Sequence, residues 1–171
     1  VRTNKRIRLL IGVVEFLFVL LAAWPIAPAA WTQDKDVVVP YVAPRPANTL
    51  VMLPDGSTVH VELATTPAEQ EYGLMERTRL PEGRGMLFVH DAMKKQPYWM
   101  YHCKIGLDIV WMDAGHKIVE MSPDTPPCRG RSTTCPNYGG HVESQYVLEL
   151  PVGSIQRHHL AVGEEVQFQV Q

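Results

Sequence analysis

No nucleophile elbow, no glycine-rich phosphate loop and no HExxH string occurs in the 171 residues. Their absence removes the local signatures of acyl-transfer catalysis, nucleotide binding and zinc-peptidase chemistry. No internal repeat or low-complexity tract is present, so the chain does not read as an array of units. Cysteine is scarce, with only Cys103, Cys128 and Cys135. A zinc site built on the last two would need two further ligands. A surplus of basic residues is also missing. Without residues 1–29, the 16 basic and 18 acidic residues fall to 12 and 17, a net charge of −5. A mildly acidic body lacks the basic face that phosphate neutralisation requires, so nucleic acid is not an expected partner.

The N-terminus carries what the body lacks. Arg2, Lys5, Arg6 and Arg8 precede an apolar tract that runs from Leu9 to Trp31. A basic start and an apolar run fit a secretory signal, with Ala27-Pro28-Ala29 as an A-x-A-like cleavage site, or an uncleaved anchor. Length favours the anchor, because 23 residues at ~1.5 Å each match a hydrocarbon core of about 30 Å. Trp24 and Trp31 suit the interface, and the basic cluster stays cytoplasmic, which sends the body outward. The expected organisation is a transmembrane helix over residues 1–31, a linker over 32–48 and an exported domain over 49–171, on a bacterial inner membrane. Glu15 lies inside the span. It is either tolerated in protonated form or docked against a neighbouring membrane subunit. Pro40, Pro44 and Pro46 make the linker a semi-rigid spacer.

From Thr49 onward, short apolar runs alternate with turn residues. TLVMLP and TVHVELA around Asp55-Gly56 predict a hairpin. Thr66, Pro67 and Glu69 form a capping box with Gly73 as the stop, predicting a two-turn helix. GMLFVH, PYWMYHC, LDIVWMD, HKIVEMS, QYVLELP and EEVQFQV read as strands, and SIQRHHL as one helical turn. The fold class is mainly β: one sandwich- or barrel-like domain of about eight short strands with two short helices, behind the N-terminal transmembrane helix.

Residues 122–140 form a long polar loop. Cys128 and Cys135 are its natural disulfide in an exported body. Asn137, Tyr138 and His141 are its candidate partner-binding residues, since long ordered loops often recognise partners. Cys103 is then left over, either buried and inert or free and reactive. On a strand, Trp99, Tyr101 and Cys103 share one face, while Met100 and His102 share the other. Soft thioether and imidazole suit copper, so Met100 and His102 are the alternative metal ligands, although methionine also fills irregular cores. Asp108 and Glu149 offer a carboxylate pair or two hydrogen-bonded structural acids.

Several strings together resemble a family of bacterial and archaeal proteins catalogued only as domain of unknown function 192. They are EYGLMERTRLP, GMLF over Gly85 to Phe88, Trp99-Met100, Leu107-Asp108, YVLELPVG and HLAVGEEV, within about residues 58–170. The resemblance implies a compact, mostly β domain, often exported, and supplies no reaction. The family's usual Lys-Asn-Thr after Trp-Met is Tyr101-His102-Cys103 here, and its usual proline before Leu-Asp is Gly106. With no catalytic constellation in view, the expected function is a non-catalytic, membrane-anchored periplasmic module. It would bind or stabilise a membrane protein complex, such as a respiratory or photosynthetic assembly. Its contacts would be Glu15, the 122–140 loop and the lipid bilayer, with no cofactor. The alternative is a periplasmic copper or small-ligand binding protein.

Overall fold

The structure, a computed structural model, describes residues 38–43 and 46–170. The expected membrane span, with Glu15, lies outside the described residues. Among those described, no helix is long and apolar enough to cross a membrane.

The described residues form nine strands. They are β1 (Thr49–Met52), β2 (Thr58–Ala64), β3 (Arg84–Lys95), β4 (Tyr98–Trp99), β5 (Leu107–Met112), β6 (Ile118–Thr125), β7 (Asn137–Tyr138), β8 (Glu143–Pro151) and β9 (Gln167–Phe168). The helices are α1 (Pro67–Tyr72) and α2 (Ser154–Arg157), with a 3₁₀ turn at Ser132–Thr134. Seven strands make one sheet in the order β6-β5-β8-β3-β2-β1-β9, and β4 with β7 makes a separate two-stranded ribbon.

The predicted hairpin pairs Thr49 with Val61 and Met52 with Thr58. The Asp55 carboxylate closes its turn by accepting the Ser57 N–H at 2.8 Å. The capping box is also present: Thr66 Oγ1 accepts the Glu69 N–H, and the Glu69 carboxylate accepts the Thr66 N–H. β2 and β3 run parallel, with α1 in the connection between them, because parallel neighbours need a crossover rather than a tight turn.

The sheet curls until its edges meet. Ile118 N–H donates to the Glu164 carbonyl at 2.8 Å, and Val166 N–H donates to the His116 carbonyl at 3.0 Å. The expected sandwich or barrel is therefore a curled sheet with a core on each side. Val51, Val61, Leu87, Val110, Leu148, Leu150 and Val166 fill the inside. Leu74, Met86, Phe88, Met100, Cys103, Ile109, Trp111 and Val147 form a second core on the other face. The central strands β5 and β8 are buried on both faces, which explains their unbroken apolar runs.

The strand expected over PYWMYHC is a correction. It stops at Trp99, and the chain turns over Met100–Cys103, where the Cys103 N–H donates to the Met100 carbonyl at 3.1 Å. His102 takes a positive φ of 56° in that turn. Alternation therefore fails: Met100, Tyr101 and Cys103 are all buried, while His102 is exposed. The strand expected over EEVQFQV contracts to Gln167–Phe168, although Val166 and Phe168 remain buried and both glutamines exposed.

Candidate functional site

The second core and the loop beside it hold most of the side chains with chemical potential. β8 must bury both faces, so Glu149 enters this core opposite Ile109 on β5 and Met86 on β3. It is 4 % exposed, and its Oε2 has no hydrogen-bond partner among the described residues. Burial in apolar surroundings disfavours the charged form and raises its pKa to about 8. Asp108 does not face it. Asp108 pairs in register with Leu150, whose side chain belongs to the inner core, and its carboxylate accepts the N–H groups of Asp124 and Ile155. The two acids are thus separate, and Asp108 is a structural acceptor.

Cys103 is the free cysteine, 7 % exposed. Burial, with the Glu149 charge second, pushes its thiol far above the ordinary range, which makes it a poor nucleophile. Glu149, Cys103 and Met75 border one cavity of about 20 Å³, with Tyr98, Trp99 and Tyr101 among its walls. That volume accommodates about one water-sized group. Tyr98 turns its hydroxyl to His90 Nε2 at 3.0 Å.

The outer surface of this region carries two hollows. One, of about 480 Å³, lies among Val38, Tyr41, Tyr72, Met75 and Tyr101. The other, of about 410 Å³, lies among Cys103, Lys104, Cys128, Arg129 and Gly130. Glu76 and His102 line both. Glu76 accepts from Lys104 Nζ at 2.6 Å and contacts His102 Nδ1 at 3.0 Å. The Lys104 hydrogen bond, then that of His102, holds its carboxyl below the usual range.

The loop is stapled by the expected disulfide, Cys128–Cys135, with Cα atoms 5.8 Å apart. Tyr101 bridges to Cys128, and the Cys128 N–H donates to the Met100 carbonyl, so the staple sits against the turn. Between the cysteines, Arg129 and Arg131 are exposed, and neither side chain has an ion-pair partner among the described residues.

Asn137 and Tyr138 form β7 and pair with Trp99 and Tyr98. Tyr138 packs against the second core, whereas Asn137 is exposed. Gly139 follows at φ +61°, and a Cβ there would meet the Trp111 ring at 2.3 Å, so only glycine lets the loop cross that ring. His141 is exposed and pairs through its ring with the Glu120 carboxylate. Met100 is fully buried while the His102 side chain is 51 % exposed, so the suggested metal pair is not brought together. Among the described residues, no group of three His, Cys, Asp or Glu side chains converges. Sequence reading missed Glu76, Lys104 and the Arg129–Arg131 pair. The available signal was two arginines enclosed by the stapled cysteines.

No curated protein matches the chain. Two solved structures share the fold, each at 25% identity and a TM-score of 0.60. One, from Sinorhizobium meliloti 1021, is described provisionally as a transcription regulator, and the match covers 77% of this chain and 98% of that one. The other, a protein of unknown function from Novosphingobium aromaticivorans DSM 12444, gives 78% and 98%. The family model DUF192, described as Uncharacterized ACR, matches residues 50–168, and with the curled sheet running over that span the chain belongs to the DUF192 family.

Proposed function

We propose that this chain is a non-catalytic, membrane-anchored module whose C-terminal domain faces the periplasm and docks onto a membrane protein complex through the stapled loop. The observation that carries this reading is the cationic face of that loop. Arg129 lines the hollow together with Lys104 and Cys128, and Arg131 is exposed two residues further on. Neither arginine has an ion-pair partner among the described residues, on a domain that is otherwise acidic. Unpaired surface cations on a rigid loop complement an acidic segment of a partner and set orientation and association rate more than raw affinity. The basic start, apolar tract and proline-rich spacer of the sequence support the anchor. No cofactor is required for such docking.

The test is purification of the native full chain from membranes in mild detergent, beside an Arg129→Glu/Arg131→Glu variant. A stoichiometric membrane complex that dissociates with rising salt and is lost in the variant supports the reading. A lone monomer, or a complex indifferent to the charge reversal, overturns it.

A further inference from the structure

The cavity in the second core is bordered by an unusual set of donors. Of the seven methionines, Met86 and Met100 lie in the same buried cluster as Cys103, and Met75 lines the cavity itself. Cys103, with its free thiol, Met75 and Glu149, with its partnerless Oε2, all line one space of about 20 Å³. A buried carboxyl oxygen without a partner is costly in an apolar core, and a cation beside it offsets that cost. The size of the space selects an ion over a molecule. Hard cations take six or more oxygens, and among the described residues that border this space only one buried side-chain oxygen, that of Glu149, lacks a partner. Sulfur donors select a thiophilic ion instead.

We propose that the cavity between Met75, Cys103 and Glu149 binds one thiophilic monovalent cation of the cuprous class. The Cys103 and Met75 sulfurs hold it, and the Glu149 oxygen is the third donor. The charge balances: Cys103–SH and Cu⁺ give Cys103–S–Cu and H⁺, the proton leaves to solvent, and copper keeps its oxidation state. The cuprous thiolate is then neutral, and with Glu149 protonated and donating through its carbonyl oxygen the whole site carries no net charge, as an apolar core demands. Entry is short, because Met75 and Tyr101 also line one surface hollow and Cys103 the other. This site uses neither His102 nor the cationic loop, so it stands or falls apart from the docking reading.

The full chain in mild detergent, under nitrogen, is titrated against the coloured cuprous complex of bicinchoninate. One equivalent of copper should be withdrawn. Affinity should fall about 100-fold in Cys103→Ala and about 10-fold in Met75→Leu, the range expected when a ligand or its support is lost. It should be unchanged in His102→Ala and in the Cys128→Ser/Cys135→Ser variant. No withdrawal, or equal affinity in Cys103→Ala, overturns the proposal. Should Cys103→Ala fail to fold by circular dichroism, X-ray absorption of the copper-loaded unsubstituted chain decides. Sulfur neighbours support the site, and nitrogen and oxygen neighbours alone overturn it.

Discussion

Asp108 Oδ2 accepts the backbone N–H of Ile155 at 2.7 Å, tying β5 to the first turn of α2 across 47 residues of sequence. Its other oxygen accepts the Asp124 N–H at 2.8 Å near the end of β6. One fully buried carboxylate therefore fixes two chain segments at the end of the sheet. Asp108→Ala leaves both N–H groups without their acceptor and should lower stability by about 3 kcal/mol. Asp108→Asn, which keeps one acceptor oxygen, should cost less. Urea denaturation of both variants checks the order, and equal midpoints for Asp108→Ala and the unsubstituted chain would contradict it.

Glu149 gives stability a pH dependence of defined sign in the metal-free protein. Its folded pKa is about 8, against 4.5 for the free side chain, and the cause is burial. The folded state therefore keeps a proton that the unfolded state loses. Stabilisation is complete below pH 4.5 and declines as pH rises to about 8. The full span is worth at most about 5 kcal/mol. Cys103 and Tyr98 are pushed up by burial and do not titrate in this window. His90 is pulled down by burial and contributes with the opposite sign. Glu149→Gln should remove the decline, leaving the His90 contribution. Chemical denaturation at pH 5 and pH 8 measures it, and an undiminished slope in the variant would sink the assignment.

Asp55 works in the reverse direction. The His158 ring, followed by the Ser57 N–H, holds its carboxyl down at about 2. His158 Nδ1 lies 2.8 Å from Asp55 and Nε2 lies 3.6 Å from Glu82, so α2 is clasped to the hairpin turn. A depressed carboxylate stabilises above its ordinary value of 3.8, and that contribution disappears as pH falls toward 2. Thermal melts of Asp55→Asn should show a shallower acid limb between pH 4 and 2. Solvent exposure keeps the effect small.

Legibility in the sequence followed the range of the interactions. The β1–β2 turn at Asp55-Gly56 and the Thr66–Glu69 capping box are local, and both form as read. The burial of Val166 and Phe168 against exposed glutamines also holds, because alternation survives even where the strand is short. Non-local features escaped. The parallel β2–β3 pair depends on where α1 returns the chain. The Met100–Cys103 turn depends partly on Cys128, whose N–H shares the Met100 carbonyl. Glu149 looked like any acid on a strand, and its isolation arises from apolar residues contributed by β3, β5 and the 98–103 segment.

The three cysteines separate cleanly by environment. Cys128 and Cys135 are joined in a ring of eight residues, for which chain-entropy arguments give about 2.5 kcal/mol of stabilisation. Cys103 is buried in the second core and held as a thiol. Peptide mapping of the non-reduced protein should therefore find Cys128 linked to Cys135. Maleimide should label nothing in the native chain and one thiol, Cys103, after unfolding in denaturant without reductant. Reduction before unfolding should lower the denaturation midpoint and expose two further thiols, with the loop over residues 126–136 losing protease resistance ahead of the sheet. The order follows from the anchoring: the staple presses Cys128 against the Met100 turn, whereas β7 holds the far end of the loop through only two residue pairs. Labelling of Cys103 in the native chain, or its linkage to Cys128 or Cys135, would mean that the second core is more open than its packing implies. It would also remove the buried thiol on which the cation site depends.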